Sequence, residues 1–244
     1  MELFQLQYSQ YGSNGILIEW PDEIDVRILK DKVRFINLIK RHSVKLIVDI
    51  IPAYNSLIII YGDSIDNFYS FKNQLLAIYF KTEETERSAN FRWSVPVCYD
   101  AFFGVDMNEF TTQKKLSIDE VVALHSNTIY TVHFVGFLPG FLYLGGLRGE
   151  LFLPRKSTPA LNIKKGSVAI GGSQTGVYPL NSPGGWYVIG NSPINWFEPN
   201  DTNPCFAKAG DEIVFIPINR SDFKEIKQKV DLGRYQLEKT VLND

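Results

Sequence analysis

The spacing of hydrophobic and polar positions changes near the middle of the chain. Before residue 80, apolar positions three or four apart predict helices, and short apolar or alternating runs predict strands. Strands are predicted at residues 3–8, 15–20, 44–50 and 56–61, and helices at 25–41 and about 65–79. This ββαββα order predicts a sheet with helices on one face.

A charged segment then interrupts the pattern. Residues 81–89, KTEETERSA, contain few apolar side chains, which places a domain boundary near Glu86. The fold class expected is α+β. Residues 1–86 are predicted to form a small α/β sandwich domain, and residues 87–244 form a second domain.

The second domain is predicted to be mainly β. Residues 91–99 form a predicted strand, in which Pro96 favours an edge position because proline cannot donate to a sheet ladder. Ser117 and Glu120 have the spacing of a capping box, which predicts a short helix ending near His125. After Ile129, short strands and turn signals predict a sandwich or barrel, with a closing strand at 210–218 and a helix at 221–230.

Composition and motifs narrow the functions to consider. A net charge of −2 argues against general electrostatic binding of nucleic acid. Two cysteines without a CxxC motif, no signal-peptide pattern and no membrane-length apolar stretch together favour the cytoplasm. No HExxH motif or Cys/His cluster predicts a metal site, and no GxxxxGK[ST] phosphate loop is present.

The strongest local signal lies between His133 and Gly190, where glycine, proline and aromatic residues are concentrated. Such residues build rigid, turn-rich β surfaces, and rigid loops often carry binding sites. Segments 136–143 and 174–186 are expected to lie side by side at one mouth of a barrel. GGSQTG at 171–176 lacks the spacing of a dinucleotide-binding motif and is predicted to be a β-turn. The predicted substrate-binding residues are Phe137, Pro139, Gly140, Tyr143, Gln174, Thr175, Tyr178, Ser182, Gly184 and Trp186.

Three residues allow two interpretations each. His125 either stabilises a helix C-terminus as an imidazolium or faces a pocket as a general acid or base. Arg155 is either an exposed loop cation or a fork for a carboxylate or phosphate. Trp186 either fills the core or forms the wall of a ligand pocket. His125 and Arg155 are the predicted catalytic pair.

An ordered series of segments resembles a known family. GFLPGFLYLGGL at 136–147 and QTGVYPLNSPGGW at 174–186 are the most specific, and PAYNSL, VPVCY and LSIDEVVALHS support them. They are similar to the B subunit of the prokaryotic 5-oxoprolinase, also described as the allophanate hydrolase subunit 1 or Kip kinase-inhibitor family. Where that family commonly has Gly-Arg-Thr-Pro, this chain has Gly190-Asn191-Ser192-Pro193, so a cation is missing.

The resemblance implies an architecture and an activity. It implies a cyclophilin-like β-barrel for residues 87–244, and relatives in the carboxyltransferase region of urea carboxylase. It also implies a complex with the A subunit and the homologous C subunit of 5-oxoprolinase, which cleaves 5-oxo-L-proline to L-glutamate. ATP with Mg²⁺ is then expected at the level of the complex, with no cofactor or metal firmly bound to this chain. The alternative implied by the Kip name is a non-enzymatic inhibitor of a sensor histidine kinase.

Overall fold

The computed structural model describes residues 3–42, 46–83 and 89–242. The chain divides into two compact units, Met1–Ser88 and Ala89–Asp244. The predicted boundary at Glu86 lies outside the described residues. Within the described ranges, no helix has the length and apolar character to cross a membrane.

The first unit is a four-stranded antiparallel sheet with two helices. Its elements are β1 Gln7–Tyr11, β2 Gly15–Glu19, α1 Val26–His42, β3 Ile47–Pro52, β4 Ser56–Tyr61 and α2 Phe68–Tyr79. The sheet order is β1-β2-β4-β3, and alternate residues of β4 are buried, as expected for a sheet covered on one face. One hydrophobic cluster contains Ile16, Ile18, Leu57 and Ile59 from the sheet together with side chains from both helices.

The apolar spacing that predicted α1 marks its buried face only in part: Leu29 is buried, but Val33 and Ile36 are half-buried. Val26 is exposed, whereas Ile28, Phe35 and Ile39 are buried. The same face also buries Asp31, whose carboxylate accepts hydrogen bonds from Trp20 Nε1, the Tyr79 hydroxyl and Arg34. Because Asp31 and its three partners are joined by these hydrogen bonds, the polar groups can be buried without a large cost in stability.

The second unit contains an eight-stranded sheet. Its elements are β5 Asn90–Val97, α3 Met107–Lys114, α4 Ile118–Ser126, β6 Ile129–Val135, β7 Leu142–Gly145, β8 Ala160–Ile163, β9 Ser167–Gly171, β10 Gln174–Val177, β11 Ser182–Gly184, β12 Tyr187–Asn191, β13 Glu212–Pro217, α5 Arg220–Asp231 and β14 Glu238–Leu242. The sheet order is β12-β9-β10-β7-β6-β13-β5-β14, and β8 pairs separately with β11. All neighbours in the large sheet are antiparallel except β13 and β5.

Strand β5 corrects the prediction from Pro96. The strand is not at the sheet edge, because it pairs with β13 on one side and β14 on the other. Its pairing with β14 covers only Asn90 to Ser94, so Pro96 lies beyond the part that is paired on both sides. Neither strand β14 nor helix α3 was predicted from the sequence. The strand at 210–218 therefore does not close the sheet.

An isolated antiparallel bridge joins Cys98 to Asn191, just after the end of β5 and at the end of β12. It links one edge strand of the large sheet to the strand next to the opposite edge. The cyclophilin-like barrel stays a prediction, since the described strands form this large sheet and one separate strand pair. The predicted capping box at Ser117 and Glu120 is confirmed in both of its hydrogen bonds.

Candidate functional site

The candidate site is organised by the two faces of strands β7, β9, β10 and β12. Along β7, Leu142 and Leu144 join the main hydrophobic core, whereas Phe141 and Tyr143 belong to a separate cluster. Strand β10 shows the same alternation: Thr175 pairs across the sheet with Leu144, and Gly176 lies against Phe141 and Trp186. Because side chains alternate along a strand, we call these the inner face and the outer face.

The outer face carries an aromatic cluster, defined here as Phe141, Tyr143, Tyr178 and Trp186. The Phe141 ring lies 5.0 Å from Tyr143, 5.9 Å from Tyr178 and 5.7 Å from Trp186, measured between centroids. These are the tilted and edge-on arrangements that aromatic quadrupoles favour. Since Phe141 and Tyr143 come from one predicted segment and the other two from the second, the structure brings both segments together.

Arg155 lies beside this cluster. Its side chain is exposed, and its guanidinium carbon lies 5.7 Å from the centroid of the Trp186 ring, within cation–π range. The neighbouring backbone is fixed by a hydrogen bond from Lys156 N to Gly185 O. The tryptophan is buried, so of its two interpretations the structure supports a packed residue whose ring also supports the cation.

The positive charge of Arg155 affects the pKa of both tyrosines of the cluster. Burial raises the pKa of Tyr143, and the charge of Arg155 opposes part of this rise. Burial also raises the pKa of Tyr178 to about 12, against a backbone hydrogen bond from Trp186 and the charge of Arg155. Both hydroxyls are therefore protonated at neutral pH and can donate hydrogen bonds.

On the inner face, His125 has no exposed surface. Its ring stacks on Phe215 with centroids 4.7 Å apart, and burial lowers its pKa to about 3. The ring is therefore neutral at physiological pH, and the interpretation of His125 as an imidazolium at a helix C-terminus is wrong. Desolvation in the core is the physical reason, because it penalises the charged form.

The hydrogen bonds of His125 assign its tautomer. Thr175 Oγ1 donates to Ala169 O at 3.0 Å, so it accepts from His125 Nε2–H at 2.9 Å. His125 Nδ1 then accepts from the Tyr99 hydroxyl at 2.7 Å, and burial keeps the pKa of Tyr99 well above its usual value. Both ring nitrogens are thus occupied within the core.

The remaining predicted residues differ in their exposure and in the face of the sheet on which they lie. Phe137 and Pro139 are exposed, and Gln174 and Ser182 are half-buried. Gly140 and Gly184 are packing positions: a Cβ on Gly140 would lie 2.8 Å from the Cβ of Phe197, and one on Gly184 would lie 2.8 Å from Ile163. Thr175, on the inner face, lies on the opposite side of the sheet from Tyr143, Tyr178 and Trp186. The turn predicted at 171–176 is confirmed as the hairpin between β9 and β10.

Two residues near the site, Tyr99 and Asp106, were not predicted from the sequence. Tyr99 completes the bonding of His125, and Asp106 accepts from Lys156 Nζ at 2.5 Å and from Val188 N at 2.8 Å. Neither has a local motif, since Asp106 lies 50 residues from Lys156. No group of three or more His, Cys, Asp or Glu side chains in the described ranges is placed to hold a metal ion.

Comparison with known proteins identifies the family. The model of the carboxyltransferase domain, subdomain C and D, matches residues 6–207. The chain belongs to this family. The carboxyltransferase subdomain match covers all of the outer-face and inner-face residues described above except Phe215.

Individual relatives agree with this membership. The B subunit of 5-oxoprolinase from Bacillus subtilis (strain 168) is 32% identical over 237 residues, covering 91% of this chain and 97% of the relative. The B subunit of 5-oxoprolinase from Escherichia coli O157:H7 is 37% identical over 171 residues, 70% of this chain and 78% of the relative. The resemblance to 5-oxoprolinase B subunits that the sequence motifs indicated is confirmed.

Among solved structures, the urea amidolyase of K. lactis matches with a TM-score of 0.82 at 18% sequence identity. The match covers 98% of this chain but only 16% of that larger chain. At this identity the likeness shows a shared fold: a mixed α/β arrangement with large sheets.

Proposed function

We propose that this chain is the B subunit of a multi-subunit, ATP-dependent 5-oxoprolinase. The complex would cleave 5-oxo-L-proline to L-glutamate in the cytoplasm, together with the homologous C subunit and the A subunit of that enzyme. The observation that carries the proposal is the 32% identity to the B. subtilis B subunit over 97% of that protein's length.

The chemistry of the reaction explains the need for ATP. A lactam is resonance-stabilised and reacts slowly with water. Transfer of a phosphoryl group from ATP to the lactam oxygen creates a leaving group, and hydrolysis then opens the ring to give glutamate and phosphate. ATP and Mg²⁺ would be held at the level of the complex.

The outer face supports the proposal by the character of its surface. Phe137 is 69% exposed next to the aromatic cluster, with a φ of 62° that non-glycine residues rarely adopt. Arg155 adds an exposed cation beside Trp186. Exposed aromatic residues and arginine are enriched at protein interfaces, so the C subunit would bind here and close a shared site.

Within this shared site the predicted residues would have different roles. Arg155 would bind an anionic group of the substrate by its planar fork. Tyr143, Gln174, Tyr178 and Trp186 would contact the substrate or the partner. His125, neutral and buried, would act only by holding Thr175 and Tyr99 in position.

The test is glutamate formation from 5-oxo-L-proline and ATP. The purified chain is assayed alone and with the A and C subunits in every combination. Turnover is expected only when all three proteins are present, with the chain and the C subunit co-purifying as a heteromer.

Two outcomes contradict the proposal. Turnover by the isolated chain would exclude a shared site. An inactive three-protein mixture, combined with inhibition of a sensor histidine kinase by this chain, would favour the alternative function instead.

A further inference from the structure

A cavity of about 610 Å³ lies in the second unit, apart from the residues assigned to the proposed complex. Its walls come from the loop before α3, from β8 and the residues after it, from the end of β12, and from α5. Two of its lining residues, Ile163 and Val188, also pack in the hydrophobic cluster that contains Phe141, Tyr178 and Trp186. Its volume is in the range of small-molecule sites.

The charged side chains of the lining are mainly cationic. The lining contains three lysines, Lys164, Lys165 and Lys227, and one carboxylate, Asp106. That carboxylate already accepts from Lys156 Nζ and Val188 N, so it is not available to neutralise the lysines. Because the whole chain carries a net charge of −2, the positive charge at this cavity is local and not a general property of the surface.

Two of the lysines have partners that are neutral or solvent-exposed. Lys165 Nζ donates to the Asn195 side-chain oxygen at 2.9 Å, which leaves its charge unpaired by a carboxylate in the described residues. Lys227 pairs with Asp231 at 2.6 Å on the exposed side of α5. Such exposed i,i+4 pairs are worth only a few tenths of a kcal/mol, so an anion can compete for this lysine.

Ser192 adds a buried polar group that lacks a partner. It lines the cavity and is 2% exposed, and its Oγ has no hydrogen-bond partner among the described residues. A buried hydroxyl without a partner is costly unless another group satisfies it. An oxygen of a bound anion would accept a hydrogen bond from this hydroxyl.

Other residues of the lining are aromatic. The rings of Phe103 and Phe223 lie 4.2 Å apart at an angle of 35°, and the exposed Phe102 packs edge-on against Phe103 at 5.1 Å. Lysines and a hydroxyl therefore share one cavity with a flat apolar wall. This combination fits a ligand that has an anionic group at one end and a planar ring at the other.

We propose that this cavity binds a small anion, a carboxylate or phosphate ester, attached to a planar ring. The lysines and Ser192 would hold the anionic group, and Phe103 and Phe223 would pack against the ring. This site is separate from the 5-oxoprolinase proposal, and binding by the isolated chain does not depend on the other proteins of that complex.

The test is calorimetric titration of the full chain with four probes. Phenyl phosphate and benzoate carry both features, inorganic phosphate carries only the anion, and benzyl alcohol carries only the ring. At least one of the two combined probes is expected to bind at least ~10-fold more tightly than either single-feature probe, and higher salt should weaken this binding. The better combined probe also reports whether the anionic group is a phosphate or a carboxylate.

Variants of Lys164 and Lys165, which are exposed, and of Lys227, which is half-buried, test the site without removing a core side chain. Lys164→Gln combined with Lys165→Gln should weaken the better probe at least ~10-fold, and Lys227→Gln about 3-fold. The matched control is Lys229→Gln, which removes an equivalent α5 ion pair, with Glu225 at 2.6 Å, but does not line the cavity. It should leave binding unchanged.

Ser192→Ala tests the buried hydroxyl and should weaken the same probe about 3-fold or more. Absence of binding by both combined probes at about 10 mM would overturn the proposal. Equal affinities for the wild type and the Lys164→Gln, Lys165→Gln double variant would overturn it as well.

Discussion

The two faces of strands β7, β9, β10 and β12 put similar residues to different uses. On the inner face, His125 and Thr175 satisfy each other within the core, and burial keeps the ring neutral. On the outer face, Arg155 is exposed over Trp186, and two protonated tyrosines lie nearby. A polar residue in this glycine-rich β region is thus either buried in the core or available at the surface, and the face on which it lies decides which.

The largest effect is expected on the inner face. His125→Ala leaves a void, removes the acceptor of the buried Tyr99 hydroxyl and removes the donor to Thr175 Oγ1, which should reduce the free energy of unfolding by about 3–5 kcal/mol. Urea unfolding measures this change. His42→Ala, an exposed histidine, is the control and should stay within about 0.5 kcal/mol of the wild type. A loss below about 1 kcal/mol for His125→Ala would show that the inner network is not structural.

The second effect is a pH dependence that only the inner face should produce. His125 takes up a proton near pH 6.5 in the unfolded chain but only near pH 3 in the folded one, so the unfolded state binds more protons in between. Its contribution to stability is complete above pH 6.5 and is lost as the pH falls, by about 1.4 kcal/mol per pH unit.

Unfolding free energies at several pH values, for the wild type and for His125→Gln, measure this slope. The glutamine amide offers a donor and an acceptor but does not titrate. The difference between the two proteins should therefore shrink steadily as the pH falls from 6.5 towards 3. A constant difference across this range would contradict a neutral, buried His125.

On the outer face, the expected effect is on activity and not on stability. Arg155→Ala should lower glutamate release by the complex at least ~10-fold, equivalent to about 1.4 kcal/mol, because an anion contact is lost. Its unfolding free energy should remain within about 0.5 kcal/mol of the wild type, since the side chain is exposed. Arg148→Ala removes another exposed arginine, paired with Glu150, and should keep full activity. Equal activity of both variants would remove Arg155 from the proposed site.

The smallest expected change in stability is at Phe137. Asparagine tolerates a positive φ, so Phe137→Asn should alter the unfolding free energy by no more than about 0.5 kcal/mol. It should nevertheless weaken association with the C subunit, because an exposed aromatic ring is lost from the outer face. The dissociation constant of the heteromer measures this effect, and Leu232→Asn, a similarly exposed apolar position, is the control. Unchanged association for Phe137→Asn would place the interface elsewhere.

Local patterns predicted most elements of the fold but not their neighbours. Strand β4 and the capped helix α4 were found because apolar spacing and the Ser117–Glu120 pair are local signals. The predicted edge position of β5 was wrong. A proline indicates that one backbone donor is missing, but it does not indicate which strands pair with β5. Strand β14 was missed because its residues are mostly exposed and show little alternation.

The region of the candidate site could be predicted from the sequence, but the residues that lie together in it could not. Turn-rich sequence identified the two segments, yet Gln174 and Thr175 are adjacent and cannot both face the same side of a strand. The partners of His125, Tyr99 and Thr175, lie 26 and 50 residues away, and no motif connects them. Pairings of this kind form only when the sheet has assembled.

The pairing of β5 also affects the order of folding during synthesis. Its partner β13 lies about 120 residues later in the chain, as the Arg92–Glu212 contact shows. At synthesis rates of ~5–20 residues per second, β5 would wait about 6–24 seconds for this neighbour. The first unit, whose strands pair with near neighbours, can fold during that interval. The ribosome-bound chain should therefore expose an apolar β5 to chaperones while its first unit is already native.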